Sequence, residues 1–266
     1  MIFVIIAILV LAALYIFAIF PSVGAKGDIF DKHKLFAHRG LFGGKVPENS
    51  MEAFRNAVEA GYGIEFDVHV TTDGICVVHH DNSLMRICGV NKKIEECEYG
   101  DIRDVTLPNG EKLPKFSDVL DLIDGRVPLI IELKCDKSDV HVANAAAEIL
   151  EGYSGEYCIE SFDPFVVARF KKFERGVLCG QLAGRTYEKT DKFSRKIVKF
   201  LAENMIFNFI SRPDFAAYQF EHRNNLSFVL CRAFGAKTAF WTITDSSELD
   251  ECRRLSSVAI FQDFLA

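Results

Sequence analysis

Two short stretches organise this chain: FAHRG at residues 36–40 and IEFDVHV at residues 64–70. Each is an apolar run that meets ionisable residues. Because side chains alternate along a strand, Glu65 and Asp67 face one side and Phe66 faces the other. Neighbouring carboxylates are costly to bury unless a positive charge lies between them. Ca²⁺ and Mg²⁺ prefer such oxygens, so the pattern predicts a metal site, with two solvated acids at a strand end as the alternative.

The chain resembles the glycerophosphodiester phosphodiesterase family through six motifs in the family's order: HRG at 38–40, PEN at 47–49, ExD at 65–67, TDG at 72–74, HD at 80–81 and ELK at 132–134. The resemblance is dense over residues 35–134 and thinner toward the C-terminus. It implies a (β/α)8 TIM barrel that hydrolyses a small-molecule glycerophosphodiester to glycerol 3-phosphate and an alcohol. It also implies one divalent metal ion, Mg²⁺ or Ca²⁺.

The resemblance further assigns roles to individual side chains. It carries the metal ligands to three carboxylates: Glu65, Asp67 and Glu132. His38 and His80 become the general acid and base, since an imidazole with a pKa near 6.5 can do either at neutral pH. In the family, a glycerol hydroxyl of the substrate attacks phosphorus and water opens the resulting cyclic phosphate. Strand alternation alone does not choose between His79 and His80; the His-Asp pair of the family selects His80.

Three more side chains are expected to contact the substrate. Arg39 suits a phosphate because its planar fork can bind two oxygens, with a surface salt bridge as the alternative. Glu132 and Lys134 share one face of their strand, so Glu132 can be a metal ligand while Lys134 neutralises a phosphate oxygen. A structural ion pair is the alternative for Glu132. Trp241, in a WTIT stretch similar to the family's WTVN, is expected to wall the pocket.

Eight strands alternate with helices after residue 33, which predicts a parallel barrel. The predicted strands start at Leu35, Gly63, Pro128, Tyr157, Val177, Met205, Thr238 and Val258, and residues 75–78 form an additional hairpin strand. Residues 82–114 are polar and are expected to cross the barrel mouth. The last strand has Gln262-Asp263 where the family has an ITD motif, which leaves the contribution of the eighth strand open.

Residues 2–20 are uncharged and about long enough to cross a bilayer as a helix, which needs roughly 20 apolar residues. We expect a transmembrane anchor over residues 1–22, followed by a barrel domain over residues 33–266. A cleaved signal peptide is the alternative, with small residues at 23–25, but no basic residue precedes the apolar run. Lysines 26, 32 and 34 follow the run and favour a cytoplasmic catalytic domain.

The charge and the cysteine pattern of the sequence limit the kinds of binding partner and the cellular compartment that are expected. The formal net charge of −6 argues against a nucleic-acid-binding surface. The eight cysteines form no CxxC pair, which favours free thiols in a reducing compartment. Residues 189–201 place basic side chains around a helical apolar stripe, which predicts a solvated outer helix or, alternatively, a contact with anionic lipid headgroups.

Three functions are therefore compared. A metal-dependent glycerophosphodiesterase is the first, and a lysophospholipase D that uses the same site on membrane lysophospholipids is the second. A non-catalytic, membrane-anchored binding module is the third, and the complete set of catalytic residue types counts against it. The sequence does not predict the headgroup alcohol or the oligomeric state.

Overall fold

A computed structural model describes residues 1–22, 24, 27–136, 139–173, 176–255 and 257–266. Within them the strands are β1 (Leu35–His38), β2 (Gly63–Val70), β3 (Cys76–Val78), β4 (Leu129–Leu133), β5 (Tyr157–Ser161), β6 (Cys179–Ala183), β7 (Phe215–Gln219), β8 (Lys237–Ile243) and β9 (Val258–Phe261). Strand β1 pairs in parallel with both β2 and β9, so eight parallel strands close into a barrel. Strand β3 pairs antiparallel with β2 as the additional hairpin strand. The predicted TIM barrel is confirmed.

Helices cover the outside of the barrel and precede it. They are α1 (Ile2–Ile19), α2 (Ile29–Lys32), α3 (Met51–Ala60), α4 (Met85–Cys88), α5 (Phe116–Ile123), α6 (His141–Leu150), α7 (Pro164–Phe173), α8 (Phe193–Glu203), α9 (Asn208–Ser211), α10 (Leu226–Ala233) and α11 (Ser246–Arg254), with 3-10 turns at Ile94–Glu96, Tyr99–Asp101 and Phe220–His222. Helix α3 shows how the sequence sets these bounds. The Ser50 hydroxyl accepts a hydrogen bond from the Ala53 amide, and Gly61 ends the helix with a left-handed φ of 76°.

The barrel interior is apolar at one end and charged at the other. Phe36 and Phe215 fill the end from which the strands start, and both are fully buried. A Cβ atom at Gly63 would lie 2.6 Å from the Phe36 ring, and one at Gly180 would lie 2.2 Å from the Phe215 ring. Glycine is therefore required on the two strands that face these rings. Phe30 of α2 packs edge-on against Phe215 at 4.7 Å and closes this end.

Helix α1 is long and apolar enough to span a membrane, and residues 1–14 are exposed. Its last turns pack against the barrel. Ile19 is fully buried, and its carbonyl accepts a hydrogen bond of 3.0 Å from the Asn208 side chain. The Arg212 guanidinium donates to the carbonyls of Phe17 and Phe20 at 2.9 and 2.8 Å. Residues 23, 25 and 26, which include most of the alternative cleavage site and one of the three lysines, lie outside the described residues.

One predicted strand was wrong. Residues 205–210 were expected to form the sixth parallel strand, but this segment is a turn that leads into α9, and the strand is β7, about ten residues later. A short apolar run has no periodicity that separates strand from helix. The segment instead receives the end of α1, since Asn208 is fully buried against Ile19.

The excursion at residues 82–114 is largely irregular, as expected, but it also has a small core of its own. This core consists of buried side chains from β3 and the excursion: Val77, Leu84, Ile94, Ile102, Leu107 and Leu113. The excursion is therefore a packed extension of the barrel.

Candidate active site

The charged end of the barrel holds a small cavity where the strands finish. Its volume is about 100 Å³, and it is lined by His38, Arg39, Glu65, His80, Glu132, Lys134, Glu160, Phe162, Leu182, Trp241, Thr242 and Ile260. A wider cavity of about 470 Å³ shares His80, Glu132, Lys134 and Phe162 with it. The two cavities are therefore adjacent. In TIM barrels the carboxyl ends of the strands carry the active site.

Three carboxylates form the floor of this site. Oxygens of Glu65, Asp67 and Glu132 lie within 4.8 Å of one another, and all three side chains are buried. Asp67 and Glu132 are direct neighbours across β2 and β4. Burial and the Asp67 charge raise the pKa of Glu65 well above its ordinary value. Burial also raises the pKa of Glu132 to about 7, although Lys134 opposes this increase.

Two cations border the carboxylates but do not neutralise them all. The Lys134 ammonium lies 2.9 Å from Asp67 and 2.7 Å from Glu132, and these carboxylates raise its pKa although burial opposes the charge. Burial alone would raise the pKa of Asp67, but Lys134, His80 and Arg39 keep it well below its ordinary value. Among the described residues, Glu65 has no ion pair with a lysine or an arginine and lies 3.9 Å from Nε2 of His38. The excess of buried carboxylate oxygen is the donor set that fits a hard divalent cation.

Arg39 is held in position from three sides. Its backbone is left-handed with a φ of 57°, which turns the amide toward Glu65 at 3.1 Å. Its guanidinium donates to Glu48 at 2.9 Å and lies 3.5 Å from Asp67. The PEN motif therefore has a positioning role that its spacing did not reveal: Glu48 fixes Arg39, and the Asn49 amide donates to Asp67 at 2.8 Å.

His38 is oriented by a residue from the last strand's end. Its Nδ1 lies 2.7 Å from Oε1 of Gln262, and the amide nitrogen of Gln262 donates to Asp263 at 2.8 Å. The amide orientation makes Nδ1 of His38 the donor, which leaves Nε2 free to accept a proton. Burial and the Arg39 charge lower the pKa of His38 to about 4. The last strand of the barrel, β9, therefore contributes to the site through Gln262, which directly follows it and is the partner of His38.

The structure also separates His79 from His80. The His79 side chain is buried outside the cavity, with Nδ1 bonded to the Asp81 carbonyl at 2.7 Å. The His80 ring lines both cavities, and its Nδ1 lies 2.6 Å from the Asp81 carboxylate. Burial lowers the pKa of His80, while the Asp67 and Asp81 charges oppose that decrease. Of the two rings, His80 is therefore the one that lines the cavities.

Two site residues were missed in the sequence. Glu160 on β5 is the direct neighbour of Glu132 on β4, it is 1% exposed, and its Oε2 has no hydrogen-bond partner among the described residues. Its position near the end of an apolar strand is the signal that identified Glu132 and could have found it. Arg86 donates to Asp81 at 2.6 Å and to Glu48 at 2.7 Å, joining two motifs. No local sequence pattern indicates that contact.

Aromatic rings form part of the cavity wall. Trp241 lines the cavity as expected, and its ring meets Phe162 nearly at right angles with centroids 5.7 Å apart. Such edge-to-face pairs are favourable and hold both rings in place.

The site and the barrel together define a class, a (β/α)8 barrel with an acidic cluster flanked by histidines. The model of the glycerophosphoryl diester phosphodiesterase family matches residues 38–266. The chain therefore belongs to this family of phosphoric diester hydrolases.

Individual relatives agree with this assignment. A glycerophosphodiester phosphodiesterase of Bacillus altitudinis is 34% identical over 113 residues, covering 40% of this chain and 46% of that protein. A human lysophospholipase D is 34% identical over 119 residues, covering 41% of this chain and 33% of that protein. The chain spans 37%, 39% and 46% of the length of three curated relatives.

Solved structures share the fold. An Oleispira antarctica phosphodiesterase in complex with the product sn-glycerol-3-phosphate has a TM-score of 0.71 at 19% identity, covering 88% of this chain and 94% of that one. A glycerophosphodiester phosphodiesterase of Thermotoga maritima has a TM-score of 0.64 at 25% identity, covering 86% and 94%.

Proposed function

We propose that this chain hydrolyses glycerophosphodiesters to glycerol 3-phosphate and an alcohol with the help of one divalent ion, Mg²⁺ or Ca²⁺. The observation that carries the proposal is the group of three buried carboxylates within 4.8 Å of one another, in a cavity that also holds two histidines. Glu65, Asp67 and Glu132 would hold the ion. When bound, it supplies Lewis-acid polarisation of a phosphate oxygen.

The remaining residues provide binding and proton transfer. Arg39 and Lys134 bind the phosphate oxygens, since both cations border the cavity. His38 is neutral at neutral pH, so its Nε2 accepts the proton of the attacking hydroxyl. His80, whose Nδ1 is held by Asp81, delivers a proton to the leaving alkoxide from its imidazolium form, which the Asp67 and Asp81 charges favour against the effect of burial. Trp241 and Phe162 enclose the part of the substrate next to the phosphate.

A second candidate is lysophospholipase D activity on membrane lysophospholipids. It is favoured by the apolar helix α1 and by the human relative that carries this activity in its name. The wider cavity argues for the water-soluble diester, because polar side chains such as Asp81, Asn82 and Asp136 line much of it.

We also propose that residues 1–22 anchor the enzyme and that residues 33–266 form the catalytic domain on the cytoplasmic side. The packing of the end of α1 into the barrel through Ile19 and Arg212 supports the anchor. A signal peptide that is removed by cleavage would not remain to make these contacts with the folded barrel. The lysines that follow the apolar run support the cytoplasmic side.

The test compares two substrates with the full chain in lipid nanodiscs. Choline release is measured from glycerophosphocholine and from lysophosphatidylcholine, each with Mg²⁺, with Ca²⁺ and with excess EDTA. The proposal expects faster turnover of glycerophosphocholine and loss of both activities in EDTA. Faster turnover of lysophosphatidylcholine would select the second candidate, full turnover in EDTA would exclude the metal, and no turnover of either would favour the binding module.

A further inference from the structure

Helix α8 exposes its apolar side chains. Phe193, Ile197 and Phe200 follow one another at helical spacing, and Phe193 is 80% exposed. This exposure is unusual, because an outer helix normally turns its apolar stripe toward the core. Here polar side chains make the contacts with the barrel instead: Lys199 donates to the Thr186 carbonyl at 2.8 Å, and Glu203 accepts from Arg185 at 3.1 Å.

These contacts place α8 at the catalytic end of the barrel. Arg185 and Thr186 directly follow β6, and the Tyr218 hydroxyl near the end of β7 donates to the Glu203 carbonyl at 2.8 Å. Both strands finish at the end where the site lies. The apolar stripe of α8 is therefore displayed beside the mouth of the active site.

Helix α1 projects from the same end. It runs alongside α10 in the same direction. Tyr15 forms a hydrogen bond of 2.7 Å with Ser227 near the start of α10, and Phe20 packs against Phe234 at the C-terminal end of α10. Helix α10 starts where β7 finishes and returns toward the start of β8. Residues 2–14 of α1 therefore extend beyond the carboxyl ends of the strands.

The length of this projection leaves little distance between barrel and bilayer. Thirteen residues at 1.5 Å each give about 20 Å, less than the roughly 30 Å of a hydrocarbon core. For α1 to span the bilayer, the rest of the helix must also enter it. The edge of α10 that lies against α1 must then enter the bilayer as well. That edge is apolar, since Leu226 is 64% exposed and Val229 is 46% exposed.

Basic side chains border the apolar surface of α8. Asp191 pairs with Lys199 at 2.7 Å, whereas Lys192 and Lys196 are exposed and make no ion pair with any residue that the structure describes. Two cations therefore border the apolar stripe and remain available for phosphate groups. An amphipathic helix of this kind binds the interface of a membrane that contains anionic lipid.

We propose that α8 and the start of α10 dock on the anionic phospholipid bilayer in which α1 is inserted, so that the mouth of the active site faces the membrane. The docking surface consists of Phe193, Ile197, Phe200, Leu226 and Val229, with Lys192 and Lys196 beside it. The inference rests on the anchoring proposed above and goes beyond it by fixing the orientation of the barrel.

The test measures quenching of tryptophan fluorescence by brominated phosphatidylcholine in vesicles that also contain phosphatidylglycerol. The full chain has one tryptophan, Trp241, which gives the baseline. Phe200→Trp and Phe193→Trp report on α8, and Leu9→Trp reports on the anchor. Phe173→Trp is the matched control, because Phe173 is also exposed but ends α7 at the opposite end of the barrel.

We expect about twofold stronger quenching than baseline for the α8 and anchor probes, since an interfacial helix buries its apolar face in the acyl boundary, and baseline quenching for Phe173→Trp. Adding Lys192→Gln and Lys196→Gln to Phe200→Trp should weaken its quenching when phosphatidylglycerol is present. The docking would be overturned if Leu9→Trp were quenched while the α8 probes stayed at baseline. It would also be overturned if Phe173→Trp were quenched. If Leu9→Trp stayed at baseline, both the anchoring and the docking would be overturned. Quenching does not require turnover, so an inactive enzyme with the expected pattern would refute only the proposed function.

Discussion

Glu132→Gln should stabilise the metal-free protein while it removes activity. The carboxylate is 7% exposed, and burial raises its pKa from an ordinary 4.5 to about 7. For an acid whose folded pKa is raised, the unfolded state releases its proton first, so stability falls as pH rises from about 4.5 to about 7. At about 1.36 kcal/mol per pKa unit, the ionised side chain costs about 3 kcal/mol at pH 8 and about 1 kcal/mol at pH 5.

Glutamine keeps the shape of the side chain and removes this cost. The variant should therefore unfold at a temperature about 6–12 °C higher than wild type at pH 8 in EDTA, since about 1 kcal/mol shifts the midpoint by 2–4 °C in a domain of this size. At pH 5 the gain should shrink to about 2–4 °C. Thermal unfolding in a mild detergent, followed by circular dichroism, measures both values.

Adding metal should make wild type the more stable of the two. A ligand at about 1,000 times its Kd stabilises the folded state by about 4.1 kcal/mol, which exceeds the cost of about 3 kcal/mol at pH 8, and wild type should gain this with Mg²⁺ or Ca²⁺ while Glu132→Gln gains little. Glu59→Gln is the control, because Glu59 is exposed and surface substitutions usually change stability by less than about 0.5 kcal/mol. A variant less stable than wild type at pH 8 in EDTA, or a gain that is equal at pH 5 and pH 8, would refute the reasoning.

Four further outcomes are expected. His80→Ala should lower kcat on the order of 10²-fold or more, as general acid–base groups do, and His79→Ala far less; the reverse ranking would refute the assignment of His80. Glu65→Gln should nearly abolish activity with an unchanged circular dichroism spectrum, and retained activity would exclude Glu65 as a ligand. Gln262→Leu should lower kcat about tenfold by freeing His38, with Gln262→Asn as the partial-rescue control, and unchanged kcat would contradict this positioning. A protease added to intact cells should spare the barrel, and its digestion, or a mature N-terminus near Lys26, would place the domain outside.

The sequence by itself was enough for the parts of this protein that depend on short range. Apolar runs that end in charge placed Glu65, Asp67 and Glu132 at the carboxyl ends of parallel strands, because alternation fixes which face a side chain takes. Strand and helix periods likewise predicted the closed barrel. The cap that the structure shows at Ser50 depends only on local hydrogen bonding.

Other features were decided only by the tertiary structure, because they join residues that are remote in the chain. The bond of His38 to Gln262 spans 224 positions, and only closure of the barrel by β9 brings the two together. Residues 205–210 form a turn and a helix instead of a strand because they pack under the end of α1. The direction in which α1 projects depends on contacts 212 residues apart, such as Tyr15 with Ser227. Local patterns carry no information about such pairs, since each forms only after distant segments have packed.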